Sequence, residues 1–189
     1  MATTDYSIPA RSSPGSTRTA PDTVHQGVSG GKFETGVTIP SKRARKDIVF
    51  GTWNVRTLRA DGRLEELEYE LERYQWELIG LSEMRWKDFG EITTDNGHKL
   101  YYSGKQDKHE EGVGFLAHKS IANSIMECKP VSSRHIAIRL KASPFNITII
   151  QVYAPTSEAS DETAEDFYNQ REEILQQTPK KDIIIILGD

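Results

Sequence analysis

Short apolar segments recur along the chain from residue 47 onward, and several of them end in a polar side chain. Residues 47–54 are rich in β-branched and aromatic side chains, and residues 77–83 form a similar apolar run that ends in polar residues. Residues 182–189 contain four isoleucines and a leucine before Gly188 and Asp189. Such runs are typical of buried strands. Between the first two, apolar side chains recur at helical spacing opposite a face of charged residues: Leu64, Leu67, Leu71 and Tyr74 opposite Glu65, Glu66, Glu68, Glu70, Glu72 and Arg73. This pattern predicts a strand, an amphipathic helix and a second strand.

The middle of the chain contains further strand-like segments with almost no helical pattern between them. Strands are predicted at 99–103, 113–118, 121–128, 135–141 and 146–153, with a turn at 143–146. Consecutive strands favour antiparallel pairing. A second helix is predicted over 162–177, with Ser160 as its N-cap, before the strand at 182–189. The order of elements predicts an α/β sandwich in which sheets pack face to face and helices lie outside.

The distribution of charge separates the N-terminal residues from the rest. Residues 1–46 are rich in Ser, Thr, Gly, Pro and Ala and carry seven Lys or Arg against three Asp or Glu, whereas the whole chain has a net charge of −4. We therefore predict a disordered basic leader over 1–46. Its basic run at 41–46 is either a nuclear-import or phosphate-contacting patch or a solvated boundary. The body that follows is acidic.

Cellular location is constrained by the cysteine count and by hydropathy. Cys128 is the single cysteine, so no disulfide partner exists within the chain and a reducing compartment is favoured. No apolar run approaches the roughly 18 residues that span a bilayer, and the N-terminus lacks the apolar core of a secretory signal. We predict one soluble domain in the nucleus or cytoplasm, neither secreted nor membrane-bound.

Four polar residues stand at or near the ends of predicted strands: Asn54, Glu83, Tyr153 and Asp189. Strand ends in α/β sheets can converge on one crevice. Two carboxylates and an amide could then share Mg²⁺, which prefers oxygen ligands and completes its shell with water and substrate phosphate. Taken singly, each residue has a structural reading as a turn, surface or core residue. Taken together, their order favours phosphodiester chemistry.

Four short motifs carry a family resemblance: TWN at 52–54, LSE at 81–83, VYAPT at 152–156 and LGD at 187–189. They resemble successive signatures of the endonuclease/exonuclease/phosphatase superfamily. The segment GTWNVRTL at 51–58 is similar in sequence to endonuclease domains of RTE-type non-LTR retrotransposons and to the gene models called craniofacial development protein two-like. The resemblance implies a DNase I-like four-layered α/β sandwich, with two packed mixed sheets and outer helices.

The resemblance also implies a role for each matching residue. Glu83 would be the principal ligand of Mg²⁺, or of Mn²⁺ in its place, and Asn54 would help to orient the metal and the scissile phosphate. Tyr153 would donate to a phosphate oxygen, and Asp189 would position or deprotonate the attacking water. DNA would be the substrate, nicked on one strand to prime reverse transcription. From their position alone, Arg134 or His135 could also approach the phosphate; the oligomeric state is not predicted.

Two family positions lie beyond the last residue of this sequence. In the superfamily an Asn follows the Gly-Asp pair by two residues, and a catalytic His preceded by Asp lies near the domain's C-terminus. We therefore expect residues 47–189 to be the N-terminal portion of such a domain, truncated after the strand that ends at Asp189. We also expect little or no nicking, and aggregation through apolar surface on residues 183–187. A phosphomonoesterase of the inositol phosphatase type and a non-catalytic binding remnant remain open alternatives.

Overall fold

A computed structural model describes residues 48–189. The predicted basic leader at 1–46 and its basic run at 41–46 lie outside the described residues. The beginning of the folded domain near residue 47 therefore stays a prediction. Everything below concerns residues 48–189.

The first sheet contains five strands in the order β1-β2-β5-β4-β3. Strands β1 and β2 are parallel, and the remaining neighbours are antiparallel. All residues of β2 and β5 are buried, because these strands have a neighbour on each side and a covered surface on both faces. The strands are β1 Phe50–Asn54, β2 Leu78–Ser82, β3 Phe89–Thr93, β4 Lys99–Ser103 and β5 Val113–Ala117.

The second sheet contains four strands in the order β6-β7-β8-β9. These strands are β6 Ile125–Ser132, β7 His135–Leu140, β8 Ile147–Val152 and β9 Ile183–Gly188. The first three pair antiparallel, and β8 and β9 pair parallel. The turn predicted at 143–146 joins β7 to β8, and Asn146 Oδ1 accepts from the Ala142 N–H at 3.2 Å.

Two α-helices lie outside the sheets. Helix α1, Arg63–Leu71, buries Leu67 and Leu71 as its spacing predicts. Helix α2, Asp161–Gln177, connects β8 to β9, and Ser160 caps it by accepting from the Thr163 N–H at 3.2 Å, as predicted. In residues 48–189 no helix is long and apolar enough to cross a membrane.

Three apolar cores separate four layers. One lies between α1 and the first sheet and contains Leu71 and Leu116. A second fills the seam between the sheets and includes Phe115. A third, with Ala137 and Ile174, lies between the second sheet and α2. The order helix, sheet, sheet, helix confirms the predicted four-layered sandwich of mixed sheets.

Several local predictions were wrong, each for a physical reason. Strand β3 was not predicted, because it is an exposed edge strand whose sequence lacks clear alternation. Residues 121–128 form no single strand, since a 3₁₀ helix at Lys119–Ser124 precedes β6. Glu68 was assigned to the charged face of α1 but is buried, where its Oε2 accepts from Asn96 Nδ2 at 2.9 Å. Tyr74 lies beyond the end of α1 and is exposed.

Strand β9 is an edge of the second sheet within the described part of the chain. Three of its isoleucines are between 42% and 48% exposed: Ile183, Ile184 and Ile186. This matches the apolar surface expected on residues 183–187. The aggregation that was expected from it stays a prediction.

Candidate active site

The four predicted residues meet at one mouth of the seam between the two sheets. Asn54 ends β1 and Glu83 follows β2, its parallel neighbour in the first sheet. Tyr153 follows β8 and Asp189 follows β9, which are parallel neighbours in the second sheet. Each sheet therefore contributes two adjacent strand ends, and the face-to-face packing brings the two pairs together.

Asn54 lies at the centre of this group. Its Nδ2 donates to Glu83 Oε1 at 2.8 Å and to Asp189 Oδ2 at 2.5 Å. Its Oδ1 accepts from the Arg56 N–H at 3.0 Å, which fixes the orientation of the amide. Asn54 thus bridges two carboxylates across the seam. Its amide oxygen faces the backbone, so its predicted role as a metal ligand requires the amide to turn and stays a prediction.

Glu83 is held in its ionised form. Its pKa is lowered, chiefly by the hydrogen bond from Asn54 and further by Arg85 and Tyr153, which together outweigh the opposing effect of burial. Arg85 Nη2 lies 3.2 Å from Glu83 Oε2. The carboxylate is therefore negative at neutral pH and available to a cation.

Tyr153 and Arg134 form the side of the site that belongs to the second sheet. The pKa of Tyr153 is raised by burial and by the nearby Glu83 carboxylate, so the hydroxyl keeps its proton at neutral pH. The Arg134 guanidinium carbon lies 5.2 Å from the centre of the Tyr153 ring, and Arg134 Nη1 donates to the Tyr153 carbonyl oxygen at 3.1 Å. The structure thus places Arg134 beside Tyr153, and its approach to a phosphate stays a prediction.

His135 is placed differently. It is fully buried, and its ring packs 4.5 Å from the ring of Phe167 on α2. Burial lowers the pKa of His135 to about 4, so the ring is neutral at pH 7. The structure does not bring its imidazole to the four strand-end residues, because His135 faces the helix layer whereas Ile136 faces the seam.

Glu111 is a neighbour of the site that the sequence did not single out. Its carboxylate accepts from Arg134 Nη2 at 2.9 Å, from Lys105 Nζ at 2.8 Å and from Ser133 Oγ at 2.5 Å. Its carbonyl oxygen accepts from the Arg85 N–H at 2.7 Å. Glu111 therefore links the loop that follows Glu83 to the turn that carries Arg134.

Left-handed backbone conformations cluster in the loops around the site. Non-glycine residues with φ between 54° and 58° include Arg56, Glu83, Arg85 and Glu111. Such conformations are uncommon for residues with a β-carbon, and they concentrate where surrounding contacts hold a functional loop. These loops are bound to each other, since the Leu58 N–H donates to the Met84 carbonyl oxygen at 3.0 Å.

The donor set is compatible with a hard divalent cation. Glu83 and Asp189 supply carboxylate oxygens, and both are bonded to one amide nitrogen, so a single hydrated cation can reach both. Among residues 48–189 no group of three or more His, Cys, Asp or Glu is arranged to hold a metal ion. One or two carboxylates suffice for Mg²⁺, because water and substrate phosphate complete its shell. The residues present therefore fit such an ion.

Sequence comparison identifies related proteins over the same residues. A model of the Endonuclease/Exonuclease/phosphatase family matches residues 51–189. Craniofacial development protein 2 of Bos taurus is 37% identical over 145 residues, which are 77% of this chain and 24% of that protein. The protein of the same name from Tragulus javanicus is 36% identical over 145 residues, 77% of this chain and 25% of that protein. The chain thus spans about a quarter of the length of these relatives.

Solved structures share the fold. Humanized D. rerio TDP2 with 14 mutations aligns with a TM-score of 0.53 at 13% identity, covering 73% of this chain and 60% of that one. The endonuclease domain of TRAS1, a telomere-specific non-LTR retrotransposon, aligns with a TM-score of 0.50 at 14% identity, covering 73% and 56%. The four strand-end motifs, the four-layered sandwich and the family match agree. The chain belongs to the endonuclease/exonuclease/phosphatase family.

Proposed function

We propose that this chain carries part of a divalent-metal-dependent DNA endonuclease site that hydrolyses phosphodiester bonds. The observation that carries the proposal is the bridge from Asn54 to Glu83 and Asp189, which gathers two carboxylates from different sheets at one solvent-reachable mouth. Like charges are brought together in a fold only where something offsets their repulsion. The Asn54 amide offsets part of the repulsion between the two carboxylates, and a bound cation would offset more of it.

Each residue has a chemical task in this proposal. Glu83 and Asp189 would hold the metal, Mg²⁺ or Mn²⁺, with Asn54 orienting them. The metal, when bound, supplies Lewis-acid polarisation of the phosphoryl oxygen and neutralises negative charge. Asp189 orients the attacking water or takes its proton. Tyr153 keeps its hydroxyl proton and can donate to a phosphate oxygen, with Arg134 beside it as a positive group.

Three observations favour DNA as the substrate. The sequence of residues 51–58 is similar to that of retrotransposon endonucleases. A structural neighbour is named as a retrotransposon endonuclease domain, and another is D. rerio TDP2 complexed with a single strand DNA product. The site is also open, since the Asn54 to Asp189 hydrogen bond is exposed. We accordingly propose retrotransposon ancestry, a nuclear or cytoplasmic location, and single-strand nicking that primes reverse transcription.

The test measures nicking of supercoiled plasmid and Mn²⁺ binding with three proteins: the wild-type chain, Glu83→Gln and Glu165→Gln. Glu165 is an exposed glutamate on α2 and serves as the matched control. Because little or no nicking is expected of this chain, Mn²⁺ binding is the main measurement: we expect Glu83→Gln to weaken it at least tenfold and to abolish any nicking that the wild type shows, and Glu165→Gln to leave both unchanged. The absence of a Glu83-dependent difference in both measurements would overturn the proposal.

Two further assays separate the alternative functions. Release of phosphate from a soluble inositol phosphate, without nicking of DNA, would favour a phosphomonoesterase of the same fold. A cellular effect that Glu83→Ala leaves unchanged would favour a non-catalytic binding protein. Endonuclease function predicts no release of phosphate from the inositol phosphate, and loss of the cellular effect in Glu83→Ala.

A further inference from the structure

We propose that Gln151, buried in the seam between the two sheets, is a positioning residue that sets the alignment of the two halves of the site. The inference rests on the proposed function, because it assigns Gln151 to the same site. Asn54 and Glu83 belong to the first sheet, and Tyr153 and Asp189 to the second. No strand pairing joins the two sheets within residues 48–189. A backbone hydrogen bond from the Gly112 N–H to the Ser133 carbonyl oxygen, at 3.1 Å, joins them at the rim, and elsewhere their alignment depends on side chains that cross the seam.

Gln151 is one such side chain. It lies on β8 two residues before Tyr153, so both face the seam, as does Ile149. The side chain is fully buried and extends to the first sheet, where it covers Gly80 of β2. A β-carbon on Gly80 would overlap the Gln151 amide oxygen. The absence of a side chain at Gly80 thus provides the space that the amide occupies.

Gln151 makes two polar contacts: one connects equivalent levels of the two sheets, and in the other its Nε2 donates to the Val152 carbonyl oxygen of its own strand, at 3.4 Å. Gln151 Nε2 donates to Thr52 Oγ1 at 3.4 Å. Thr52 lies two residues before Asn54 on β1, just as Gln151 lies two residues before Tyr153 on β8. The contact between Thr52 and Gln151 therefore joins the residues that precede the site on the same faces of β1 and β8. It resists sliding of one sheet over the other.

The buried amide of Gln151 costs free energy at this position. Gln151 Oε1 has no hydrogen-bond partner in the described part of the chain, and neither has the buried Ser82 Oγ on β2. An apolar side chain of similar volume would avoid an unsatisfied buried oxygen. Apolar contacts are non-directional, whereas a hydrogen bond specifies one alignment. A polar group retained at this cost favours a role in positioning over a role in stability.

Gln151 does not act alone. Glu111 lies in the loop between β4 and β5 of the first sheet. Its carboxylate also accepts hydrogen bonds from Arg134 and Ser133, in the β6–β7 turn of the second sheet at the rim of the site. This second connection should keep the sheets together when Gln151 is changed. We therefore expect a shifted site in a folded protein, with Mn²⁺ affinity reduced about tenfold.

The test compares Gln151→Met, which keeps the volume but not the amide, with Ile138→Val as a control. Ile138 is a fully buried residue of the same seam on β7. Three quantities are measured: the Tm, the Kd for Mn²⁺, and the pKa of Glu83 by carbon-13 NMR without metal. Asn54, from the same sheet, lowers the Glu83 pKa most, and Tyr153, from the other sheet, is a smaller cause whose loss reports on alignment.

For Gln151→Met we expect an unchanged or higher Tm, a Kd for Mn²⁺ about ten times larger, and a Glu83 pKa closer to its ordinary value. Ile138→Val should lower the Tm slightly and leave the Glu83 pKa unchanged. An unchanged Glu83 pKa in Gln151→Met would overturn the inference, whether or not the Tm falls. If the wild type does not bind Mn²⁺, the proposed function fails, and the metal-free pKa alone decides the role of Gln151.

A second variant approaches the same contact from the other sheet. Gly80→Ala should displace the Gln151 amide and raise the Glu83 pKa as Gln151→Met does. In a Gln151→Ala background the added methyl group has room, so Gly80→Ala should then change the pKa little. If Gly80→Ala changed the Glu83 pKa equally in the wild-type and Gln151→Ala backgrounds, the contact between Gln151 and Gly80 would not be the cause of the change.

Discussion

Asn54 Nδ2 lies 2.8 Å from Glu83 Oε1, although the two residues are 29 positions apart in the sequence. The contact exists because β1 and β2 are parallel neighbours in register, so that Asn54 pairs with Ser82 and lies beside the residue that follows β2. The same amide nitrogen also reaches Asp189 of the second sheet. One asparagine thus joins both halves of the candidate site.

Asn54→Ala should raise the pKa of Glu83 toward its ordinary value, because the hydrogen bond from Asn54 is the largest cause of its lowering. At neutral pH the variant should lose about 1–2 kcal/mol of unfolding free energy, since both bonded carboxylates reach solvent and the bonds are weaker than buried ones. Because the folded pKa is depressed, this contribution is present above the unfolded pKa and is lost as pH falls through the folded pKa. Carbon-13 NMR titration and urea unfolding measure the two effects.

The matched control for this prediction is Asn169→Ala, an exposed asparagine on α2. It should leave both the Glu83 pKa and the stability unchanged. A Glu83 pKa that is equal in Asn54→Ala and wild type would show that the bridge does not hold the carboxylate.

His135 should make the protein sensitive to acid. Burial lowers its pKa to about 4 from 6.5, and nearby Gln170 offsets this only partly, since Nε2 lacks a well-formed hydrogen bond among the described residues. The unfolded chain therefore takes up a proton as pH falls below about 6.5 while the folded chain does not. Stability should fall by roughly 3 kcal/mol between pH 6.5 and 4 from this residue.

Replacing the titrating ring tests this origin. His135→Leu should flatten the decline over that pH range, whereas replacement of the exposed His109 by Gln should not. Some decline should remain, because burial also lowers the pKa of His98. Urea unfolding at a series of pH values measures the slope, and equal slopes for His135→Leu and wild type would refute the assignment.

The seam between the sheets should be sensitive to truncation of its side chains. Phe115 is fully buried there, so Phe115→Ala should cost about 3–5 kcal/mol of unfolding free energy. Phe145 is 52% exposed, and Phe145→Ala should change stability by no more than about 0.5 kcal/mol. Chemical denaturation of both variants decides the comparison, and similar losses would contradict face-to-face packing of the sheets.

Gly104 should be required for the loop that follows Glu83. A β-carbon at Gly104 would overlap the carbonyl oxygen of Trp86, which is backbone and cannot move aside easily. Gly104→Ala should therefore cost about 1–3 kcal/mol. In the control Gly51→Ala, the new β-carbon meets only the flexible end of Ile79 at 3.0 Å, and the cost should be smaller. A larger loss in Gly51→Ala than in Gly104→Ala, by urea unfolding, would contradict this account.

The sequence predicted those elements whose signal is local. Helix α2 and its cap at Ser160, the buried strands β2 and β5, and the four strand-end motifs all follow from periodicity or from short patterns. Strand β3 gave no such signal, because an exposed edge strand needs no apolar face. Glu68 was misplaced, since helical spacing alone does not show that Asn96 approaches it from another loop.

The candidate site was predictable in its members but not in its contacts. Strand ends indicated Asn54, Glu83, Tyr153 and Asp189, but their hydrogen bonds depend on the packing of two sheets. Glu111 was missed because its role comes from partners 22 and 23 residues away. His135 is adjacent to Arg134 but faces the other side of β7, and a sequence pattern for this short strand did not reveal which face held the helix.

The most direct test of the account is a titration of the isotope-labelled chain with Mn²⁺, followed by NMR. Paramagnetic Mn²⁺ broadens the signals of nearby nuclei. We expect selective broadening at Asn54, Glu83, Tyr153 and Asp189 at Mn²⁺ concentrations that leave Glu165 and the rest of α2 sharp, and loss of that selectivity in Glu83→Gln. Uniform broadening, or selective broadening that survives Glu83→Gln, would contradict a metal site at the ends of these four strands.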